Sequence, residues 1–235
     1  MKATTCSEDL MLSSAEKAKL VLVWPVSLRL LHWALALGTI ALWVTGWLMG
    51  QSADLFAAAR DVHLLSAHVV AVALLGRIGL LLTDRGVAGG RVLATVFRRP
   101  ALLMDMFRFY ASFGATPLPR WYAHNPFWGP LYLLLFALLA VQVVSGYGVL
   151  WGDWAVDSWH RAIATAIAMW MLLHLLTVIL VEIKGTGSNI SALFHGRRVF
   201  PDEVEPTSPF QGPDAGQKVD FIGLNKRPVD DDQQG

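Results

Sequence analysis

Four long apolar stretches separated by shorter polar segments dominate the chain. They cover about residues 30–49, 62–82, 127–150 and 159–181, and each is apolar on more than one helical face. A helix of about 20 apolar residues crosses the hydrocarbon core of a bilayer, and a helix satisfies its own backbone hydrogen bonds there. The pattern therefore predicts an all-α integral membrane protein built as a four-helix bundle.

The composition agrees with this prediction. Of the 235 residues, 54% are hydrophobic and only 16% are charged, whereas a soluble domain averages about 25% charged residues. Several of the ten tryptophans lie near the ends of the apolar stretches, as is typical of residues at a membrane interface. The single cysteine, Cys6, excludes a disulfide framework and a cysteine-ligated iron–sulfur cluster within one chain. A metal would therefore need imidazole or oxygen ligands.

Basic residues are concentrated in three segments: the N-terminal arm, the segment between spans two and three, and the segment after span four. The other two loops contain little positive charge beyond Arg60 and Arg161, and both also carry aspartates. The positive-inside rule then predicts that both termini are cytoplasmic. We expect a multi-pass protein of the bacterial inner membrane, in contact with lipid and with no nucleic-acid partner.

The chain divides into three predicted segments. Residues 1–22 form a cytoplasmic arm without the apolar run of a cleavable signal peptide, and residues 23–198 form the membrane domain. Residues 199–235 are rich in Pro, Gly, Asp and Gln and are expected to be a disordered cytoplasmic tail. Between spans two and three, residues 101–112 alternate apolar and charged positions. They predict a short interfacial helix, either a simple connector or a docking element.

Four histidines form a geometric set across the predicted spans. His32 lies at the cytoplasmic end of span one and His63 at the opposite end of span two; His160 opens span four, and His174 follows 14 residues later. Fourteen residues advance a helix by about 21 Å and rotate it by only about −40°. The depths predict two pairs, His63 with His160 and His32 with His174. Two imidazoles from facing helices are the axial ligands of a low-spin electron-transfer haem, so we expect two bis-histidine haem b groups.

Three further residues are candidates for haem binding. Gly46 lies 14 residues after His32 and leaves room for a flat macrocycle near the other pair. Arg77 lies 14 residues after His63, inside a span, where an arginine costs about 2.5–3.5 kcal/mol. A haem propionate would be a suitable partner for it. Arg29, near His32, could serve the same haem or reach lipid phosphate.

The remaining histidines and two late glycines have open roles. His68 is expected to pack or to contact water, although it could replace the nearby ligand on the same helix. His124 precedes span three, where it could mark the start of the helix or contact a quinone or a propionate; His195 has no evident role. Gly146 and Gly148 could make room for a haem or let helices pack closely, and we favour the haem.

Several motifs resemble a known family. They are VWPVSLRLLHWALAL (23–37), RDVHLLSAHVVAVALLGR (60–77), AHNPFWGPLYLLLFALLAVQVVSGYG (123–148), WHRAIATAIAMWMLLH (159–174) and SNISALFHGRR (188–198). The sequence resembles the bacterial cytochrome b561 superfamily, which includes b-type cytochrome subunits of nickel–iron hydrogenases and gamma subunits of formate dehydrogenases. The resemblance implies a four-helix anchor that binds two haems and exchanges electrons with quinone, with its ligands at the same four histidines.

Three functions follow as hypotheses. The first is an electron-transfer subunit between the quinone pool and a periplasmic cytochrome c, hydrogenase or dehydrogenase. The second is a self-sufficient quinone-coupled superoxide oxidase, whose electropositive access to the periplasmic haem would come from Arg60 and Arg161. The third and most remote is a transporter with a histidine relay, although such carriers usually place Asp or Glu within their spans.

Overall fold

The computed structural model describes residues 18–94, 97, 99–121, 123–152, 154–185 and 189–201. In chain order the elements are β1 (Ala18–Leu22), α1 (Val26–Met49), α2 (Ala53–Thr83), α3 (Gly90–Ala94), α4 (Pro100–Ala111), α5 (Trp128–Leu150), α6 (Trp154–Lys184), α7 (Asn189–His195) and β2 (Arg197–Pro201). The described chain is thus mostly helical. The arm before residue 18 and the tail after residue 201 lie outside the described residues.

Helices α1, α2, α5 and α6 are long and apolar enough to cross a membrane. They coincide with the four predicted spans, but α1, α2 and α6 begin earlier, at Val26, Ala53 and Trp154. Charged residues interrupt the apolar pattern in each of these first segments, so the pattern marks the span and not the full helix. As a result His63 lies in the third turn of α2, whereas the sequence placed it at the start.

The bundle consists of two helical hairpins that pack against each other. Helix α1 packs along α2, α5 packs along α6, and α2 contacts α5. Their shared core is formed by Val70 and Leu74 of α2, Leu139 of α5 and Ile167 of α6, all at most 4% exposed. Most other long apolar side chains of the four helices face outwards, as they do when lipid is the solvent.

The two ends of the bundle differ. At the hairpin end, short turns join α1 to α2 and α5 to α6; Ser52 accepts a hydrogen bond from the backbone N–H of Asp54 at the start of α2. Gly152 has φ of +83° in the α5–α6 turn, a conformation that glycine adopts without strain. At the loop-rich end lie α3, α4, α7 and both strands.

A small antiparallel sheet at the loop-rich end was not expected from the sequence. Strand β1 pairs with β2, from Ala18 opposite Pro201 to Leu22 opposite Arg197. The expectation of an all-α chain is therefore corrected by one two-stranded sheet. The sheet joins the segment before α1 to the segment after α7, so residues 199–201, which the sequence assigned to a disordered tail, belong to a strand.

Helix α7 is held at its start by a side chain of α6. The Glu182 carboxylate accepts hydrogen bonds from the backbone N–H groups of Asn189 (3.0 Å) and Ile190 (3.2 Å). These N–H groups have no partner within their own helix, and a carboxylate is favoured at a helix N-terminus. The contact therefore fixes α7 against the end of the bundle.

Helix α4 coincides with the short helix predicted between spans two and three. Met106 and Phe109 are buried against Val181 of α6, whereas Met104 and Phe107 are about half exposed. One face of α4 therefore covers the end of α6 and the other is free of protein. Its position at a membrane interface stays a prediction.

Candidate functional site

The structure brings His63 of α2 and His160 of α6 together near the hairpin end. Their ring centres are 6.4 Å apart, and the ring planes are inclined by 62°. Each histidine comes from a different hairpin of the bundle. The two imidazoles therefore face each other across the interface between the hairpins.

A hydroxyl group of the preceding helix holds each of these rings. The Nδ1 of His63 lies 2.9 Å from Oγ1 of Thr45 in α1, and the Nδ1 of His160 lies 2.9 Å from Oγ of Ser145 in α5. On His160 the side-chain amide of Gln142 also donates to Nε2 at 3.2 Å and to the backbone carbonyl at 3.0 Å. Both rings are thus oriented by neighbours within their own hairpin.

Glycines adjoin both rings. A Cβ at Gly46 would lie 3.5 Å from Cε1 of His63, and a Cβ at Gly146 would lie 3.4 Å from Cε1 of His160. Gly148 differs, because its Cβ would meet Val156 at 2.9 Å. Gly46 and Gly146 therefore leave space at the rings, whereas Gly148 allows α5 and α6 to pack closely.

His174 lies at the other level of α6, in an aromatic pocket. Its ring stacks on Trp170, with centres 5.2 Å apart, and meets the edges of Trp128 (4.9 Å) and Tyr132 (5.8 Å). The buried Nδ1 of His174 has no hydrogen-bond partner among the residues that the structure describes. The ring contacts of the described residues include none between His32 and His174; the His32 ring meets Trp33 instead, with ring centres 5.8 Å apart. The structure therefore brings the first histidine pair into ring contact but not the second.

Arg77 is buried at this second level. Its side chain is 4% exposed, Nη1 donates to the Ala88 carbonyl at 2.7 Å, and the guanidinium lies 5.5 Å from the centre of the Phe136 ring. Among the described residues no carboxylate lies within ion-pair distance of it. A buried guanidinium without a carboxylate is a suitable site for an anionic group.

Arg29 binds the protein itself. Its Nη1 donates to the Phe194 carbonyl at the end of α7, and Nε1 of Trp33 donates to the Leu193 carbonyl at 3.3 Å. Cations stabilise helix C-termini. The contact assigns Arg29 a structural role at α7 that the sequence did not suggest.

The other histidines have separate environments. His68 is exposed, and its Nδ1 donates to the Leu64 carbonyl at 2.6 Å. His195 accepts a hydrogen bond from the backbone N–H of Arg197. His124, in the loop before α5, donates from Nε2 to the Val87 carbonyl at 3.0 Å. Burial lowers the pKa of His124 to about 4, so its imidazole is neutral at pH 7.

A family model for prokaryotic cytochrome b561 matches residues 23–196, which include all four membrane helices and both histidine levels. The chain belongs to this family. Among curated relatives, a probable Ni/Fe-hydrogenase B-type cytochrome subunit of Cupriavidus necator is 26% identical over 84% of this chain and 95% of its own length. Proteins with the same description from Azotobacter vinelandii and Bradyrhizobium diazoefficiens are 25% and 24% identical, over 80% and 77% of this chain and 92% and 87% of their own lengths. No solved structure is a significant match.

A cytochrome of the b type carries haem b, and the residues of this cytochrome b561 chain fit that group. A metal–imidazole bond of about 2 Å places two axial imidazole centres on one metal roughly 6 Å apart, close to the 6.4 Å between His63 and His160. In the described part of the chain no three His, Cys, Asp or Glu side chains converge on a metal position. Two facing imidazoles suit a metal whose other ligands come from a porphyrin.

Sequence reasoning missed the residues that orient the histidines. Thr45, Ser145 and Gln142 contact the first pair, and Trp170 and Tyr132 enclose His174. The only signal was a repeated dipeptide, Thr-Gly at 45–46 and Ser-Gly at 145–146, just before the two short turns. The other contacts follow from packing.

Proposed function

We propose that this cytochrome b561 family member is a di-haem electron-transfer subunit that connects a redox partner to membrane quinone. The 6.4 Å separation of the His63 and His160 ring centres across two hairpins is the observation that carries the proposal. These histidines would hold one haem b through their Nε2 atoms. Bound haem supplies an iron that cycles between the ferric and ferrous states.

A second haem would lie at the level of His32 and His174. The 14-residue interval between His160 and His174 on α6 supports this assignment, and the buried guanidinium of Arg77 would bind a propionate there. The Trp170 and Trp128 rings adjoin His174 and would form one apolar wall of this second haem site. Arg29 is already engaged at α7, so in this proposal Arg77 is the main propionate ligand.

The two levels are far enough apart to span most of the membrane. His160 and His174 are separated by about 21 Å along α6. The apolar core of Val70, Leu74, Leu139 and Ile167 fills the bundle between them. None of these four side chains is charged, and electrons that enter at the level of His63 and His160 would equilibrate across this core with the haem at the level of His32 and His174.

The curated relatives are described as hydrogenase cytochrome subunits, so a nickel–iron hydrogenase is the proposed partner. By the positive-inside rule the loop-rich end, with most of the arginines, would face the cytoplasm and the hairpin end the periplasm. A periplasmic partner would then exchange electrons with the haem at His63 and His160. This orientation keeps both termini inside.

Quinone would react at a surface open to lipid. An apolar groove of about 720 Å³ lies between α5 and α6 beside His160, and it includes Val144, Ser145 and Trp159. An apolar groove with few polar groups suits a prenylated quinone.

The superoxide oxidase alternative has less support. It needs Arg161 and Arg60 to attract an anion, but each arginine forms an ion pair with an aspartate, at 2.8 Å and 3.5 Å.

Haem content and ligand pairing test the central proposal. The purified full chain should show a b-type α-band in its reduced-minus-oxidised spectrum and hold two haems per chain. His63→Ala, His160→Ala and the double variant should each retain one haem, since all three lose the haem that His63 and His160 would hold together. Combining His63→Ala with His174→Ala should leave none. His68→Ala is the matched control and should keep both haems; a chain without an α-band would refute the proposal.

Partner and quinone are tested separately. Hydrogen gas should reduce the b-type haem in native membranes if the partner is a hydrogenase; reduction by dithionite alone would contradict that partner.

For the groove, Val144→Trp should slow oxidation of the reduced chain by a short-chain quinone. Val72→Trp is its control, because Val72 is 70% exposed on α2 and Val144 71% exposed on α5. Equal rates would exclude the groove.

A further inference from the structure

The same arrangement of hydroxyl and glycine is built twice at the hairpin end. Thr45 and Gly46 of α1 face the ring of His63, and Ser145 and Gly146 of α5 face the ring of His160. In both cases the hydroxyl oxygen lies 2.9 Å from Nδ1, and the adjacent glycine places no side chain at Cε1. The repetition on two separate hairpins indicates a shared role for the two hydroxyl groups.

The direction of the hydrogen bond between Thr45 and His63 follows from the single proton on the Thr45 hydroxyl. The Thr45 hydroxyl has one proton, and its oxygen lies 2.7 Å from the Ala41 carbonyl, which can only accept. The hydroxyl therefore donates to Ala41 and accepts from Nδ1–H of His63. Nε2 of His63 then carries the lone pair.

His160 has the same tautomer for matching reasons. The Ser145 hydroxyl donates to the Gln142 carbonyl at 3.0 Å, so it accepts from Nδ1–H of His160. The side-chain amide of Gln142 donates to Nε2 of the same ring at 3.2 Å, which requires a lone pair there. Two independent hydrogen bonds thus place the proton on Nδ1 and leave Nε2 free to bind a metal in place of the amide.

We propose that Thr45 and Ser145 are positioning residues that hold His63 and His160 in the Nδ1–H tautomer and lower the reduction potential of the haem between them. The inference rests on the proposed function. A hydrogen bond from Nδ1–H to an acceptor raises the basicity of the ligating nitrogen, and a more basic ligand stabilises the ferric state. In the described part of the chain the buried Nδ1 of His174 has no such acceptor, so the haem proposed at the other level serves as an internal reference.

The experiment is a redox titration of the α-band in the purified full chain and in Thr45→Val and Ser145→Ala. Each substitution removes the hydroxyl and nearly preserves the volume. The ferric-to-ferrous equilibrium of one haem should shift about tenfold towards ferrous, that is ~59 mV for one electron. The second haem should not change.

Three variants control for packing. Thr45→Ser and Ser145→Thr keep a hydroxyl and should retain the potential of the original chain. Thr165→Val removes a hydroxyl of α6 that donates only to the Arg161 carbonyl, at 3.0 Å, and should leave both haems unchanged. If Thr45→Val loses one haem while Thr45→Ser keeps it at the original potential, the proposal is supported.

Two results would overturn the inference while leaving the proposed function intact: unchanged potentials in both Thr45→Val and Ser145→Ala, or equal shifts in Thr45→Val and Thr45→Ser. The first would show that the hydroxyls do not act on the iron, and the second that packing alone matters. A full chain without b-type haem would instead overturn the proposed function, and this inference with it.

Discussion

Replacing Gly38 by alanine should loosen the hairpin that carries Thr45 and His63. A Cβ at Gly38 would lie 2.6 Å from Cγ2 of Val70, well inside the 3.4–4 Å of ordinary contact. Val70 is 1% exposed in the bundle core, and its branched side chain has little rotamer freedom in a helix. Overpacking of this kind costs about 1–3 kcal/mol. Because alanine is favoured over glycine in a helix by about 1 kcal/mol, we expect a net loss of up to about 2 kcal/mol.

Gly79→Ala is the matched control for this substitution. Gly79 lies in α2, and a Cβ there would meet no atom within 4 Å. The same chemical change should therefore stabilise the protein by up to about 1 kcal/mol. The free energy of unfolding is measured by SDS titration in mixed micelles, with tryptophan fluorescence as the probe. Adding Val70→Ala to Gly38→Ala should relieve the overlap, so the two effects should be non-additive by about 1–3 kcal/mol.

The reasoning fails if Gly38→Ala and Gly79→Ala give the same free energy of unfolding. It also fails if Gly38→Ala and Val70→Ala are strictly additive, because the two side chains then do not compete for one space. A difference in the expected direction would show that the close approach of α1 to α2 depends on Gly38.

Three further predictions concern single contacts. Glu182→Gln should weaken the start of α7 by about 1 kcal/mol, seen as faster hydrogen exchange of the Asn189 and Ile190 amides; unchanged exchange would contradict the cap. The pKa of His124 is lowered from 6.5 to about 4, so an unfolded chain binds a proton below pH 6.5 that the folded chain does not. The free energy of unfolding should fall by up to about 3 kcal/mol as the pH drops from 6.5 to 4, and His124→Gln should flatten that slope; an equal slope would be the contrary result. Arg161→Gln breaks an ion pair whose arginine is 75% exposed and should change stability by less than about 1 kcal/mol; a larger loss in the same SDS titration would show that the pair is more than a surface contact.

The histidine set shows how far local reasoning reaches. The interval between His160 and His174 defines two levels on one helix, because rise and rotation per residue are properties of the helix alone. The distance between His63 and His160 depends on how two hairpins pack, and no interval in the sequence contains it. The early starts of α1, α2 and α6 were missed for a different reason, because charged residues interrupt the apolar pattern in their first turns.

The roles of individual polar and small residues depended on neighbours from other helices. In a helix the hydroxyl of threonine or serine can donate a hydrogen bond to a backbone carbonyl one turn back. The sequence therefore gave no sign that Thr45 and Ser145 would also contact a residue of another helix. Nothing in the sequence distinguishes Gly46 from Gly148, yet Gly46 lies beside the ring of His63 in the neighbouring helix and Gly148 lies against Val156. The sequence left the role of Arg29 open between haem and lipid phosphate, and the structure shows that its side chain donates to the Phe194 carbonyl of α7.

By itself the sequence determined the four membrane helices, the short helix between the second and third, and the two levels of histidines, because each follows from hydrophobic pattern or from the regular geometry of a single helix. Only the tertiary structure decided which hydroxyls His63 and His160 meet, that Arg77 is buried with no described carboxylate within ion-pair distance, and that β1 and β2 join the two ends of the membrane domain. These contacts link residues that are distant in the chain, and they depend on side-chain packing rather than on any local period.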